Sequence, residues 1–179
     1  MRVLAVDPGT TNFAYSIIDI NKGLKYKIRK MGMVTHTIKE PKDDIQDQYQ
    51  KFATHFLDKM DNKKINSFIC ERFQSRGMKG NVIESVNMMI GTMVQYMTQI
   101  GVENIKLVTA STWKNRVNRL SDMKMIYSLS RVPPHITDAT CLGLYYATLL
   151  YEGQAFGSFQ DHHFRLLTEK INNESVPLD

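Results

Sequence analysis

Three acidic residues of this chain stand where acids are costly. Asp7 ends the apolar run of residues 3–6, and Glu71 ends the run in "INSFICE". Asp138 falls in the opening turn of the apolar segment "HITDATCLGLYYA". Carboxylates drawn together at the margin of a core repel one another, and the grouping is unfavourable unless cations or protons offset it. Mg²⁺ suits that task, because it takes hard oxygen ligands in octahedral geometry and keeps waters that phosphate oxygens can displace. Two such ions about 4 Å apart activate a water and stabilise the leaving 3′ oxygen in phosphodiester hydrolysis. His135 lies three residues before Asp138, on a neighbouring position of the same helical face. Each residue alone has an ordinary explanation: Asp-Pro-Gly is a common turn, Glu71 a strand-end charge, Asp138 a first-turn partner of a helix dipole, and His135 a cap or packing residue. The set is what points to metal-assisted phosphoryl chemistry, since two strand ends and one helix start each deliver an acid to a common edge.

The elements that position these residues are legible as periodicities. Residues 3–6 form a continuous apolar run, as in a strand buried on both faces. "NFAYSIIDI" and "LKYKIRKMGMVTH" read as two more strands joined by the turn Asn21-Lys22-Gly23. Lys25, Lys27 and Arg29 alternate to one side of the third strand, which makes either a stripe facing DNA or a charged edge that resists aggregation. Residues 41–60 have helical period, with Ile45, Tyr49, Phe52 and Phe56 on one face, Asp43 and Asp44 early and Lys59 late. After the strand "INSFICE", Asn81 and Glu84 have the spacing of a capping box that opens a second helix. That helix carries Val82, Val86, Met89, Met93 and Met97 on one stripe, for core packing or a subunit interface, and ends near Gly101. "NIKLVTA" is a fifth strand. Residues 111–130 form one or two short basic helical segments, and after Pro133-Pro134 a last helix spans about 135–152. Ala139, Gly143 and Ala147 recur every four residues in it, a stripe that lets a helix lie close against a sheet. The order β-β-β-α-β-α-β-α-α predicts an α/β fold with a mixed sheet and helices packed on it.

The chain has 179 residues and a net charge of +5. Length predicts one domain over residues 1–152 and a C-terminal extension over 153–179 that is partly helical or frayed. The extension carries a net −2, which leaves +7 on the body. Lys114, Arg116, Arg119, Lys124 and Arg131 cluster in one segment against Asp122 alone. A positive face on a compact body is compatible with a polyanionic partner or with a merely solvated surface. No apolar run reaches the roughly 20 residues of a membrane-spanning helix. The first apolar run is too short for a signal peptide, and Asp7 interrupts it, so a soluble cytoplasmic protein is expected. Cys70 and Cys141 sit in apolar surroundings and read as buried free thiols.

"VDPGTTNFAYSI", "FICER" and "HITDATCLGLYYA" resemble, in order and spacing, the metal-binding segments of RuvC-type Holliday-junction resolvases, nucleases of the RNase H-like superfamily with phage and poxviral branches. The likeness covers about residues 1–152. It implies an RNase H-like fold with a five-stranded mixed sheet and helices on both faces. It also implies a homodimer that binds branched DNA and four-way junctions and places paired nicks with Mg²⁺, Mn²⁺ substituting, as two ions per site. Asp7, Glu71 and Asp138 take the family's acidic positions. Many relatives have two aspartates three apart on the last helix, whereas here the earlier position is His135 and the residue three after Asp138 is Cys141. His135 can ligate a metal, assist proton transfer or contact the scissile phosphate. Lys114, in "STWKNR", falls where these nucleases often place a lysine near the cut, for phosphate contact or charge stabilisation. Trp113 beside it reads as a packing residue. In "RFQSRGMKG", Arg72, Phe73, Arg76 and Lys79 combine an aromatic with positive charge, as for stacking on an unpaired base, with a place in the core the alternative for Phe73, and Arg116 and Arg119 extend the DNA-binding set.

Three other functions stay open at this point. One is a broader branched-DNA nuclease, and another a non-catalytic junction-binding module. The third is an ATP-binding lobe similar to sugar kinases and actin-like ATPases, which share the Asp-x-Gly-Thr hairpin. Those ATPases need two such lobes, and 179 residues have room for one.

Overall fold

In a computed structural model of the chain, residues 1–21, 26–36, 45–60, 64–74, 77, 80–120, 124, 127–128, 132–150 and 172–176 are described. The elements in chain order are β1 (Arg2–Pro8), β2 (Asn12–Ile20), β3 (Tyr26–His36), α1 (Ile45–Asp58), β4 (Ser67–Glu71), α2 (Gly80–Gln99), β5 (Asn104–Val108), α3 (Ala110–Leu120), α4 (Pro134–Leu150) and β6 (Asn172–Val176). They follow the order expected from periodicity. The turn at 21–23, the acids at 43 and 44, and the helix expected over "FRLLTEKI" fall wholly or partly outside the described residues.

One mixed sheet runs in the order β5-β4-β1-β2-β3-β6. β2 is antiparallel to β1 and β3, while β4 is parallel to β1 and β5 parallel to β4. Each strand that is buried on both faces sends alternate side chains into two separate cores. Val3, Ala5 and Ile69 pack with α3 and α4 on one face. Leu4, Val6, Phe68 and Cys70 pack with α1 and α2 on the other. The stripe Val86, Met89, Met93 and Met97 is therefore core, and both cysteines are buried free thiols. Phe13, Tyr15, His36, Phe52 and Phe56 meet edge to face or tilted in the second core.

The structure departs from the pattern in two places. The five expected strands lie side by side, and β6 adds a sixth. Gly32 to His36 pair in parallel with Asn172 to Val176, so part of the expected frayed extension is an edge strand. Its sequence, "NNESV", has no apolar alternation to announce it. Backbone hydrogen bonding to an otherwise open strand edge is what holds it. The start of α2 is the second difference. α2 begins at Gly80, which puts Asn81 inside its first turn, where Oδ1 accepts from the adjacent Val82 N–H at 2.9 Å.

The small-residue stripe on α4 is what seats that helix. A Cβ on Gly143 would lie 2.6 Å from Cδ1 of Ile18 and 3.2 Å from Cβ of Ala5, both fully buried. Gly143→Val is expected to cost about 2 kcal/mol by overpacking, net of the small helix-propensity gain. The thermal midpoint should fall by roughly 4–8 °C. Gly91→Ala on the exposed face of α2, where a Cβ meets nothing within 4 Å, should be neutral or stabilising in the same melting experiment.

Candidate active site

In this sheet β1, β4 and β5 all end at one edge. Val6 pairs with Cys70, so Asp7 and Glu71 are the next residues on adjacent parallel strands and point to the same face. Glu71 pairs with Val108, and α3 starts two residues later at that same edge. α4 lies across β1 and β2 with its start there too; because the helix begins at Pro134, His135 is in its first turn and Asp138 falls just past that turn rather than inside it as expected. Three strand ends and two helix starts thus surround one cleft of about 420 Å³, lined among others by Asp7, Thr10, Glu71, Phe73, Lys114, His135 and Asp138. The ends of parallel strands are the usual ligand-binding edge of such sheets, because helix starts and strand ends leave backbone groups and loops there.

The acids share the cleft, but each is turned to a donor of its own. His135 Nδ1 lies 2.8 Å from Asp7 Oδ2. Lys114 Nζ donates to Asp138 Oδ2 at 2.8 Å, and the Tyr127 hydroxyl donates to Oδ1 of the same carboxylate. Trp113 Nε1 donates to Glu71 Oε2 at 2.6 Å. Among the described residues, no three His, Cys, Asp or Glu side chains gather at a point where they would hold a metal ion. In this arrangement the protein's own cations and N–H groups balance the carboxylates.

Burial raises Asp7 above the ordinary carboxylate range; the His135 hydrogen bond opposes this, and the charge of Asp138 adds to it. Burial, reinforced by Asp7, pushes Glu71 up to about 6. The hydrogen bond to Asp7 lifts His135 above its ordinary value, against burial, which lowers it. Burial works against the Lys114 charge, yet Asp138, Glu71 and Asp7 together hold it above its usual value. Asp7 is 6% exposed, whereas the His135 side chain is 56% exposed. The cleft therefore has a dry floor at Asp7 and a wet rim at His135.

The other expected contact residues divide. Arg72 is exposed and lines the cleft, and Phe73 lines it while packing half-buried against the α1–α2 core. Arg119 is exposed on α3. Arg116 is half-buried and donates from Nε to Thr148 Oγ1 at 3.1 Å, which fastens α3 to the end of α4. Arg76 and Lys79 lie outside the described residues. On β3, Arg29 pairs with Asp19 at 2.5 Å, at the end of the sheet remote from the cleft. Lys27 is exposed at that end, and Lys25 is outside the described residues.

Three residues at the site carry no sequence signal of their own. Trp113 reads as packing and Tyr127 as one residue of a basic segment. His36 reads only as the end of a strand. It is 1% exposed, with Nε2 3.3 Å from the Gly9 carbonyl, and its backbone N–H donates to Thr11. Thr35 Oγ1 donates to Asn12 Oδ1 at 3.0 Å. The end of β3 thereby clasps the turn after Asp7. Gly9 is needed in that turn, because a Cβ would stand 2.7 Å from the Asn12 carbonyl oxygen.

No protein-family model and no curated protein sequence matches the chain. Solved structures do. RuvC of Thermus thermophilus is similar with a TM-score of 0.67 at 17% identity, over 87% of this chain and 98% of that one. The same protein solved with a Holliday junction substrate matches at 0.67 and 16%. The fowlpox virus resolvase, solved with Holliday junction DNA, matches at 0.52 and 16%, over 85% of this chain and 100% of that one. The yeast mitochondrial Holliday junction resolvase matches at 0.53 and 16%, over 84% and 81%. The chain thus has the fold of RuvC. Among the described residues no helix is long and apolar enough to cross a membrane.

Proposed function

We propose that this chain is a structure-specific DNA endonuclease that resolves four-way junctions by divalent-metal-dependent hydrolysis of phosphodiesters. One observation carries the reading: Asp7 and Glu71 end adjacent parallel strands of a RuvC fold, and Asp138, one turn into α4, lines the same cleft. Holding three carboxylates there, two of them with raised pKa values, is unfavourable for a protein that only binds DNA. The donor set is all hard oxygen plus one imidazole, which fits Mg²⁺ or Mn²⁺.

Asp7, Glu71 and Asp138 would hold the metal, two ions per site in the fullest form, with His135 as a fourth ligand or a proton carrier. Bound there, the metal lowers the pKa of an attacking water and stabilises the leaving oxygen. For these ligands to be free, Lys114 must leave Asp138 and His135 must leave Asp7. An incoming phosphate offers both cations a new anionic partner, and each already stands at the rim. Lys114 then neutralises charge that develops on the phosphoryl oxygens. Arg72 and Phe73 at the mouth, with Arg119 on α3, supply phosphate contact and a stacking face for a splayed base. A homodimer, with one cleft per copy, accounts for paired nicks on a two-fold symmetric junction.

The deciding assay uses purified protein with labelled four-way, three-way and linear duplexes, each with and without Mg²⁺. Paired cuts in the four-way substrate only when Mg²⁺ is added are the expected result. Equal cutting of all three substrates would make the protein a general nuclease. Tight junction binding with no cutting in Mg²⁺ or Mn²⁺ would make it a binding module.

The pH profile follows from Glu71. Its carboxyl must lose a proton to ligate a cation, and burial places that loss at about 6. Cleavage is therefore expected to rise about tenfold per pH unit below about 6 and to level above it. Single-turnover rates across pH, at Mg²⁺ too dilute to saturate the site, check this, because a bound cation itself draws a carboxyl pKa down; a midpoint near the ordinary glutamate value under that condition would show Glu71 to be solvated and uncoupled from Asp7.

A further inference from the structure

Trp113 is the chain's single tryptophan and the largest of its fully buried side chains. A buried indole carries one polar hydrogen, and leaving it without an acceptor is costly. The acceptor here is a catalytic-site carboxylate, Glu71, at 2.6 Å. The ring face has a second partner. Nζ of Lys114 lies 5.0 Å from the ring centroid, within cation–π range, and donates in turn to Asp138. One rigid ring therefore stands between the acid that ends β4 and the acid one turn into α4. Its edge is fixed on the first and its face on the cation bound to the second. Trp113 does not itself line the cleft, so it meets no substrate and acts through the two residues that do.

We propose that Trp113 is a positioning residue of the cleft, its indole N–H fixing the Glu71 carboxylate and its ring face seating Lys114 at Asp138. The functional consequence rests on the nuclease reading above; the contact itself does not. A glutamate has three side-chain torsions, and among like charges an untethered Glu71 would swing toward water. The indole pays that ordering cost during folding, which leaves the acid oriented before a cation or phosphate arrives. Loss of such an outer partner lowers metal affinity by roughly 10–100-fold in well-studied sites.

Because the tryptophan is single, the test can read it directly. In intact protein without DNA, its fluorescence is followed as Mg²⁺ is added. A saturable spectral shift is expected in the parent chain, lost or displaced at least about tenfold in Glu71→Gln. A flat emission over Mg²⁺ concentrations that saturate cleavage overturns the proposal. The second arm is Trp113→Phe, which keeps an aromatic ring and removes the N–H. It should bind a four-way junction without metal as the parent does, and need about tenfold more Mg²⁺ for half-maximal cleavage. A parental Mg²⁺ requirement overturns the proposal as well. Where the Phe variant fails to melt cooperatively, the emission titration of the parent decides. Where the parent chain cuts no branched DNA, the nuclease reading falls. Trp113 is then judged by metal-free emission of the parent against Glu71→Gln, and identical spectra overturn it.

Discussion

Asp7→Asn is expected to lower junction cleavage by at least about 10³-fold, some 4 kcal/mol of transition-state stabilisation, while junction binding stays within a few-fold of the parent. The substitution changes almost no volume and removes one charge from the floor of the cleft. Asp7 is the acid closest to the centre of the constellation: it follows Val6 on β1, neighbours Glu71 on β4 and bonds His135 from α4. The same change should raise the thermal midpoint at neutral pH. The sign follows from linkage. Burial raises the folded-state pKa of Asp7 above its unfolded value. Its contribution to stability is thus fully present below the unfolded pKa and is lost as pH rises through the folded one. A neutral amide avoids that loss, so the gain in melting temperature should be largest near neutrality and vanish in acid. Gel-shift, single-turnover cleavage and melting on one preparation check all three statements. Residual cleavage within tenfold of the parent would remove Asp7 from the metal-binding set.

The second large effect belongs to Lys114. Lys114→Met keeps most of the aliphatic stem and deletes the ammonium that lies over the Trp113 ring. Cleavage is expected to fall on the order of 10²-fold, the usual effect of deleting one preorganised charge-stabilising group. The pH profile supplies a sharper sign. The Lys114 charge lowers the pKa of both Asp7 and Glu71, so its removal moves Glu71 above about 6 and carries the acid limb of the profile upward. Stability should change little, about 1 kcal/mol or less, because the Lys114 side chain is 37% exposed and water screens its pair with Asp138. What remains of that contribution is present below the unfolded lysine pKa and fades as pH rises through the raised folded value. An unshifted pH midpoint with an unchanged rate would reduce Lys114 to a solvated partner of Asp138.

The two substitutions also separate two kinds of charge in the cleft. Asp7 is on the dry floor and is destabilising when ionised, whereas Lys114 is on the wet rim and offsets that cost. The cleft holds unfavourable charge on rigid strand ends and faces it with the Lys114 ammonium and the His135 ring. The fold supplies the rigidity: Gly143 brings α4 within van der Waals contact of β1 and β2, and His36 holds the turn after Asp7 from the opposite core.

How much of this was readable in advance can be judged residue by residue. Asp7 and Glu71 were visible because each ends an apolar run, and strand alternation puts both on one face. Asp138 and His135 were visible because helical spacing places them in one turn, and the stripe Ala139, Gly143, Ala147 announced a close helix–sheet contact. These are local signals, carried by period and by the residue at which a period stops. Hidden features depend on partners far apart in the chain. Trp113 looked like packing because nothing near it in sequence shows that its N–H meets an acid 42 residues earlier. Arg116 looked free for DNA, yet it reaches Thr148, 32 residues on. β6 leaves no trace in the sequence because an edge strand held by its backbone needs no apolar pattern.

By itself, then, the sequence determined the kinds of element, their order and the faces their acids occupy, because a backbone with two soft torsions per residue turns composition into period. Only the tertiary structure decided which strand lies beside which, and which donor each carboxylate takes. Those choices are settled by long-range packing and by competition for a few buried hydrogen bonds, and no local window of residues contains them.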